Sequence, residues 1–409
     1  MPLVFVLVVV LAWGVELVLG AVPTWGVAAL QIQPWQQAAV DAYRAGRLPL
    51  WASEAGFGAP LAANPQVAAF SPFILLSLLV GAERGVALNL FVHAALAAIG
   101  AYLAARRLDL PAWPAALAGV VFPLSGALAA RAIFPPFFTT AAWLGFAIAA
   151  WPRSPRRPDA AILPALVLAI AWLDGHPQAW LIVAVASLLS GAWFGVQESR
   201  TSSRRFLSLT LAAAVGLGLA LAAVQAVPAA ELLLRSVRAG GLEDAFVTPY
   251  DPPPWAVLLL LAPDLLGTPA AGDYRGPVGF WEWCWTVGLL ALPFAAFGRR
   301  GLPWLLVAVG VVLAFVPGLP GIGPVGRLAA GGICCVALGA SSSLRISDWR
   351  SARRRGWRVS RRCRRRRAGG QRSSLPRSEA GSSLAHCWES DSVAQRSCGA
   401  GCCLAQRQG

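Results

Sequence analysis

The chain has 409 residues, of which 57% are hydrophobic and 13% charged, with a mean hydropathy of +0.61. Such values lie outside the range of water-soluble domains and exclude an ordinary soluble enzyme as the class of the main body. The formal charge of +15 suggests nucleic acid until it is divided at Leu344, where 18 Arg against 15 acidic residues before it leave the body at only +3, and 16 Arg against 4 acidic residues follow. No nucleic-acid partner is expected.

Many apolar runs approach or exceed the roughly 18 to 20 residues that cross a hydrocarbon core of about 30 Å. The first, near 3–22, is apolar except for Glu16 and lacks the positive region of a cleavable signal, so it is expected to be retained. Arginine-rich loops stay on the cytoplasmic side. Four clusters qualify: Arg106-Arg107, Arg153 with Arg156-Arg157, Arg200 with Arg204-Arg205, and Arg299-Arg300. Placing all four inside predicts spans near 86–105, 112–130, 137–151, 160–173, 178–195, 206–227, 281–297 and 302–317, and puts 23–85 and 228–280 outside. The short proline-interrupted stretches 67–81 and 255–266 then lie on the membrane surface.

Within the first outer segment, Pro34 suits a helix start and Gly46 a helix end. Between them Trp35, Ala38, Ala39, Ala42 and Tyr43 share one face and Gln37, Asp41 and Arg44 the other, with Asp41 and Arg44 at pairing distance. The expected fold is therefore an all-α polytopic membrane protein of about 9–10 transmembrane helices, multi-pass in a bacterial inner (plasma) membrane. Its large first outer loop carries interfacial helices.

The domain boundary falls near 343. Residues 344–409 include Ser-Arg-Arg-Cys-Arg-Arg-Arg-Arg at 360–367 and show no apolar periodicity, so they build no core. Two readings fit: a polybasic segment drawn to anionic lipid, or an aberrant, frame-shifted end that replaces authentic sequence after about residue 330. The abrupt change in both Arg and Cys usage favours the second. No zinc-type cysteine spacing appears, and His93, His176 and His386 are dispersed, so no metal site is expected.

The outer loop also holds a series of short motifs: Pro34-Trp35, Gly46-Arg47-Leu48-Pro49-Leu50-Trp51, Gly56-Phe57-Gly58-Ala59-Pro60, Ala63-Asn64-Pro65-Gln66 and Ser71-Pro72. Further along come His93 with Gly100-Ala101-Tyr102, Ser125-Gly126 before Arg131, Gly175-His176-Pro177-Gln178, Gln225 to Pro228 with Glu231, Ser236 with Arg238, and the turn from Pro263 to Gly267. In this order the series resembles the YfhO family of bacterial membrane proteins over about residues 23–330. The resemblance implies a GT-C-like architecture and a glycosyltransferase whose partners are a polyprenyl-phosphate sugar and a lipid or glycopolymer acceptor, with no cofactor called for and metal dependence left open. Two positions depart from it: Gly26-Val27-Ala28 stands where an acidic residue is usual, and Ala52 follows Trp51 where asparagine is usual.

Transfer of a sugar from a lipid phosphate needs a carboxylate for the acceptor hydroxyl and cationic or amide donors for the phosphate. Outer-face carboxylates are Asp41, Glu54, Asp174, Glu231, Glu243, Asp244, Asp251, Asp273 and Glu282. Glu54 lies inside the matched loop and is the first candidate base, with Asp41 second; the alternatives are a solvated loop carboxylate and a helix-surface pair with Arg44. For the phosphate the candidates are Arg131, Arg235 and Arg238, with His176 and the amides Asn64, Gln66 and Gln178 of the matched motifs. Arginines at helix ends equally snorkel to headgroups, and His176 equally caps a turn. His93, inside a span, is expected to hydrogen-bond within the bundle. A non-catalytic transporter or lipid-binding protein is the competing function.

Overall fold

The computed structural model describes residues 26–54, 58–155, 158–198, 204–237 and most of 254–284, with isolated positions on either side. The expected spans near 3–22, 281–297 and 302–317, and the tail from 344, fall largely or wholly outside the described residues.

What is described is almost entirely helical. Helix α1 (Gln33–Arg44) continues a wider turn over Ala28–Ile32, carries Pro34 in its first turn, and is followed by Gly46 at φ +68°. A two-residue antiparallel pairing follows, β1 (Trp51–Ala52) against β2 (Ala59–Pro60), with Trp51 opposite Pro60. Then come α2 (Ile74–Val80), α3 (Ala82–Arg107), α4 (Ala112–Leu124), α5 (Gly126–Ala129), α6 (Pro135–Ala142), α7 (Leu144–Ala149), α8 (Ile162–Leu173), α9 (Pro177–Glu198), α10 (Arg204–Leu221) and α11 (Ala223–Leu234).

Three segments are long and apolar enough to cross a bilayer: Ala82–Arg107, Ala112–Ile133 and Pro177–Gln197. The pair α10 and α11 makes a fourth if taken as one broken span, and Pro135–Ala149 and Asp159–Leu173 are shorter apolar helices. The chain is thus a largely helical membrane protein. The expected single helix over 206–227 is instead bent by 88° between α10 and α11. The chain turns at Ala222 (φ −93°, ψ 9°), and Gln225, in the first turn of α11, is tied sideways to the outer loop.

Small residues set the packing, as expected where lipid supplies no hydrophobic drive between helices. Ala94, Ala97 and Ala98 of α3 are buried beside Leu128, Phe138 and Ala142. At Gly145 any side chain would run into the backbone of Gly100, and at Gly119 into the carbonyl of Ala98. A second cluster joins Trp143, Ala147, Leu168, Ala171, Trp180 and Val183 across α7, α8 and α9.

The bundle has two distinct ends. At one, Arg107 donates through Nε to the Trp151 carbonyl at 2.8 Å and Arg153 pairs with Asp109 at 2.7 Å, so the loops after α3 and α7 lie side by side. Arg106-Arg107, in the last turn of α3, and Arg153, in the loop after α7, lie at this end. At the other, the first outer loop docks on its own small core of Ala39, Ala52, Leu61, Val67 and Ala69. Here α1 exposes Gln37, Asp41 and Arg44, as its amphipathic pattern requires. Its buried face, however, includes Gln36, which accepts from Ser77 Oγ at 2.7 Å and donates to the Val67 carbonyl at 3.5 Å.

Candidate functional site

The loop joins the bundle through Asp174, the residue after α8. Only 1% exposed, its carboxylate accepts from Ser71 Oγ at 2.6 Å, 103 residues earlier in the chain, and from Trp143 Nε1 at 2.5 Å, while His93 Nε2 lies 2.9 Å from Oδ2. His93 Nδ1 sits 2.9 Å from the Asn89 carbonyl, which can only accept, so Nδ1 carries a proton. Thr139 Oγ1 donates to the Asp174 carbonyl at 3.2 Å. Both carboxylate oxygens are met by polar side chains, which is what a carboxylate in a low-dielectric interior demands.

The next residue explains the tight approach of loop and bundle. Gly175 has φ +104°, and a Cβ there would collide with the Pro65 carbonyl. That carbonyl also accepts from Gln225 Nε2 at 3.4 Å, so loop, turn and α11 meet at one backbone atom. Asn64 caps the short turn Pro65–Val67 by accepting from the Gln66 N–H at 3.1 Å.

His176 is 6% exposed. Its backbone N–H donates to Thr140 Oγ1 at 3.1 Å, and its Nδ1 accepts from the Ala179 N–H at 3.1 Å, so the proton of the neutral ring is on Nε2. Burial first, and the positive charge of Arg131 second, push its pKa down to about 3. The ring is a neutral Nε2–H donor at neutral pH. Phe134 and Phe137 meet it edge-on, with centroids 5.3 and 5.0 Å away.

Arg131 lies 4.7 Å over the same Phe137 ring and is 5% exposed. Its Nη1 donates to the Ala127 carbonyl at 2.9 Å and its Nη2 to Glu282 Oε2 at 2.5 Å. A guanidinium and a neutral imidazole donor therefore flank one aromatic ring at the end of the bundle where the outer loop docks. In chemical terms the guanidinium already holds one anion, the Glu282 carboxylate.

The other candidates are placed as follows. Glu54 is exposed in the turn after β1, and Asp41 is exposed on α1. Asp41 accepts from Gln37 Nε2 at 2.8 Å, and Arg44 donates to the Leu78 carbonyl at 2.9 Å instead of pairing with Asp41. Gln66 and Gln178 are half-buried beside the docking point. Arg235 pairs with Glu231 one helical turn back at 2.7 Å, with both side chains largely exposed. Arg238 lies outside the described residues. At the departure from the usual acidic position, Gly26 has φ +65° and packs near Ile133. No cluster of three metal-ligating side chains occurs among the described residues.

Compared with family models, curated proteins and solved structures, the chain matches none.

Sequence reasoning placed Asp174 and Glu282 only among several carboxylates, met Ser71 only as part of a motif, and left out Trp143. A signal for Asp174 did exist: a histidine inside an apolar span must find a polar partner there. Which partner depends on which helices touch, and periodicity does not carry that information.

Proposed function

We propose that this chain is a multi-pass protein of a bacterial plasma membrane, GT-C-like in architecture, that moves a sugar from a polyprenyl-phosphate donor to a lipid or glycopolymer acceptor on the outer face. The observation that carries the reading is the placement of Arg131 and the neutral donor His176 against the same ring, Phe137, at the end of the bundle where the motif-bearing loop docks. In the reaction the acceptor oxygen attacks the anomeric carbon, the bond to the phosphate oxygen breaks, and its electron pair leaves with the phosphate. Arg131 and His176 steady that charge. The acceptor proton goes to a carboxylate accessible to solvent. Glu54 fits this requirement and Asp174, enclosed by three donors, does not.

The test is transfer from radiolabelled polyprenyl-phosphate sugars by the full chain in proteoliposomes. Replacing Arg131 by Gln should reduce turnover by about 100-fold, the loss typical of removing one transition-state donor. Glu54→Gln should abolish transfer, and unchanged transfer would remove Glu54 from the mechanism. No covalent product from any donor would overturn the reading.

The 88° break between α10 and α11 favours a second function, since discontinuous helices commonly line transport sites. Flux of lipid-linked sugar across the vesicle membrane without a covalent product would select it.

A further inference from the structure

We infer that Glu282 is an internal stand-in for a phosphate oxygen: its carboxylate holds Arg131 until a lipid phosphate displaces it, so the short turn that carries Glu282 gates the anion site. The inference rests on the lipid-phosphate reading above and adds a regulatory element to it.

Arg131 is buried, and a buried guanidinium without a counter-charge is costly. Ala127 and Phe137 hold it on two sides, but neither supplies negative charge. Glu282 supplies it from far away in sequence, 151 residues on. A carboxylate offers a guanidinium two oxygens in nearly the geometry that phosphate does, so the two ligands compete for one fork.

Three features make Glu282 the displaceable partner. Its side chain is 24% exposed, whereas that of Arg131 is 7% exposed, so Glu282 can be hydrated when released. It sits on a three-residue turn, Phe280–Glu282, entered through Gly279 in the left-handed region at φ +85°, and not on a long helix. The next residue, Trp283, is buried with Ala256 and Leu259, so the turn stays tethered while the Glu282 side chain swings. His176 adds an independent pointer to a ligand. More than nine-tenths buried, its Nε2–H has no hydrogen-bond partner among the described residues, and it shares the Phe137 ring with Arg131. Of these two donors, Glu282 meets Arg131. A phosphate carries oxygens enough for both donors.

The experiment uses the full chain in nanodiscs, with decyl phosphate as the probe and decyl glucoside as the uncharged control, and binding followed by calorimetry. Glu282→Gln keeps shape and removes charge. It should bind decyl phosphate on the order of tenfold more tightly than the unaltered chain, as for a competitor that occupies the site about nine-tenths of the time. Arg131→Gln should lose binding. In the unaltered chain, hydrogen exchange at 280–282 should speed up when decyl phosphate is added, and this measurement decides the matter should Glu282→Gln fail to fold. Equal or weaker binding by Glu282→Gln, or unchanged exchange at the turn while decyl phosphate binds through Arg131, overturns the stand-in and leaves the lipid-phosphate reading intact. Absence of binding by both the unaltered chain and Glu282→Gln overturns both.

Discussion

Asp174 shows how much a single buried carboxylate can determine. Three side chains from the outer loop, α3 and the junction of α6 and α7 converge on it, and it is 1% exposed. Replacing it with Ala leaves Ser71, His93 and Trp143 without their acceptor. The expected cost is about 3 to 5 kcal/mol, the range for breaking a buried pair by removing one partner. Reversible unfolding in mixed micelles measures it. The same assay should place Asp41→Asn and Glu54→Gln within about 0.5 kcal/mol of the unaltered chain, since both side chains are exposed. His176 makes a separate prediction about pH. Its folded pKa of about 3 lies below the 6.5 of an unfolded histidine, so between those values the unfolded chain binds more protons. Its contribution is present in full above pH 6.5 and is lost as pH falls toward 3. His176→Gln should flatten that acid limb; an unchanged slope between pH 6.5 and 3 would count against a buried neutral ring.

At the scale of elements, the decisive contacts are between backbones. Gly175 combines φ +104° with a Cβ position that the Pro65 carbonyl already fills, so Gly175→Ala should destabilise by about 1 to 3 kcal/mol, the usual cost of a residue held in a sparsely populated conformation. Thermal melts of the purified protein measure this. Gly145→Val should separate α7 from α3 at Gly100 and cost a comparable amount by overpacking, about 1 to 3 kcal/mol. Helix α1 shows what was legible in the sequence and what was not. Its exposed face of Gln37, Asp41 and Arg44 follows from the period of the chain alone. The burial of Gln36 does not, because the group that satisfies it, Ser77, lies 41 residues away. The bend at Ala222 was equally hidden, since α10 and α11 are both apolar and a hydropathy scan reads through them. For the same reason the motif residues were found one by one, while the arrangement of Arg131, Phe137 and His176 waited on the packing of α6 against the turn before α9.

For the whole molecule, the two ends of the bundle carry the account. Asp109 and Arg153 pair at one end, and the docked outer loop with Glu54 lies at the other, about 20 Å of helix away if α3 is traced from His93 to Arg107 at 1.5 Å per residue. In the topology we propose, the arginine asymmetry puts the first end in the cytoplasm and the second outside. On the proposed function, a lipid-phosphate donor would meet Arg131 from the outer leaflet. Labelling of single cysteines at Glu54, Arg235, Asp109 and Arg153 in intact cells, with a membrane-impermeant maleimide and the native cysteines replaced, tests this most directly. The account predicts labelling at 54 and 235 without permeabilisation and at 109 and 153 only after it; labelling of 109 or 153 in intact cells, or protection of 54, would contradict it.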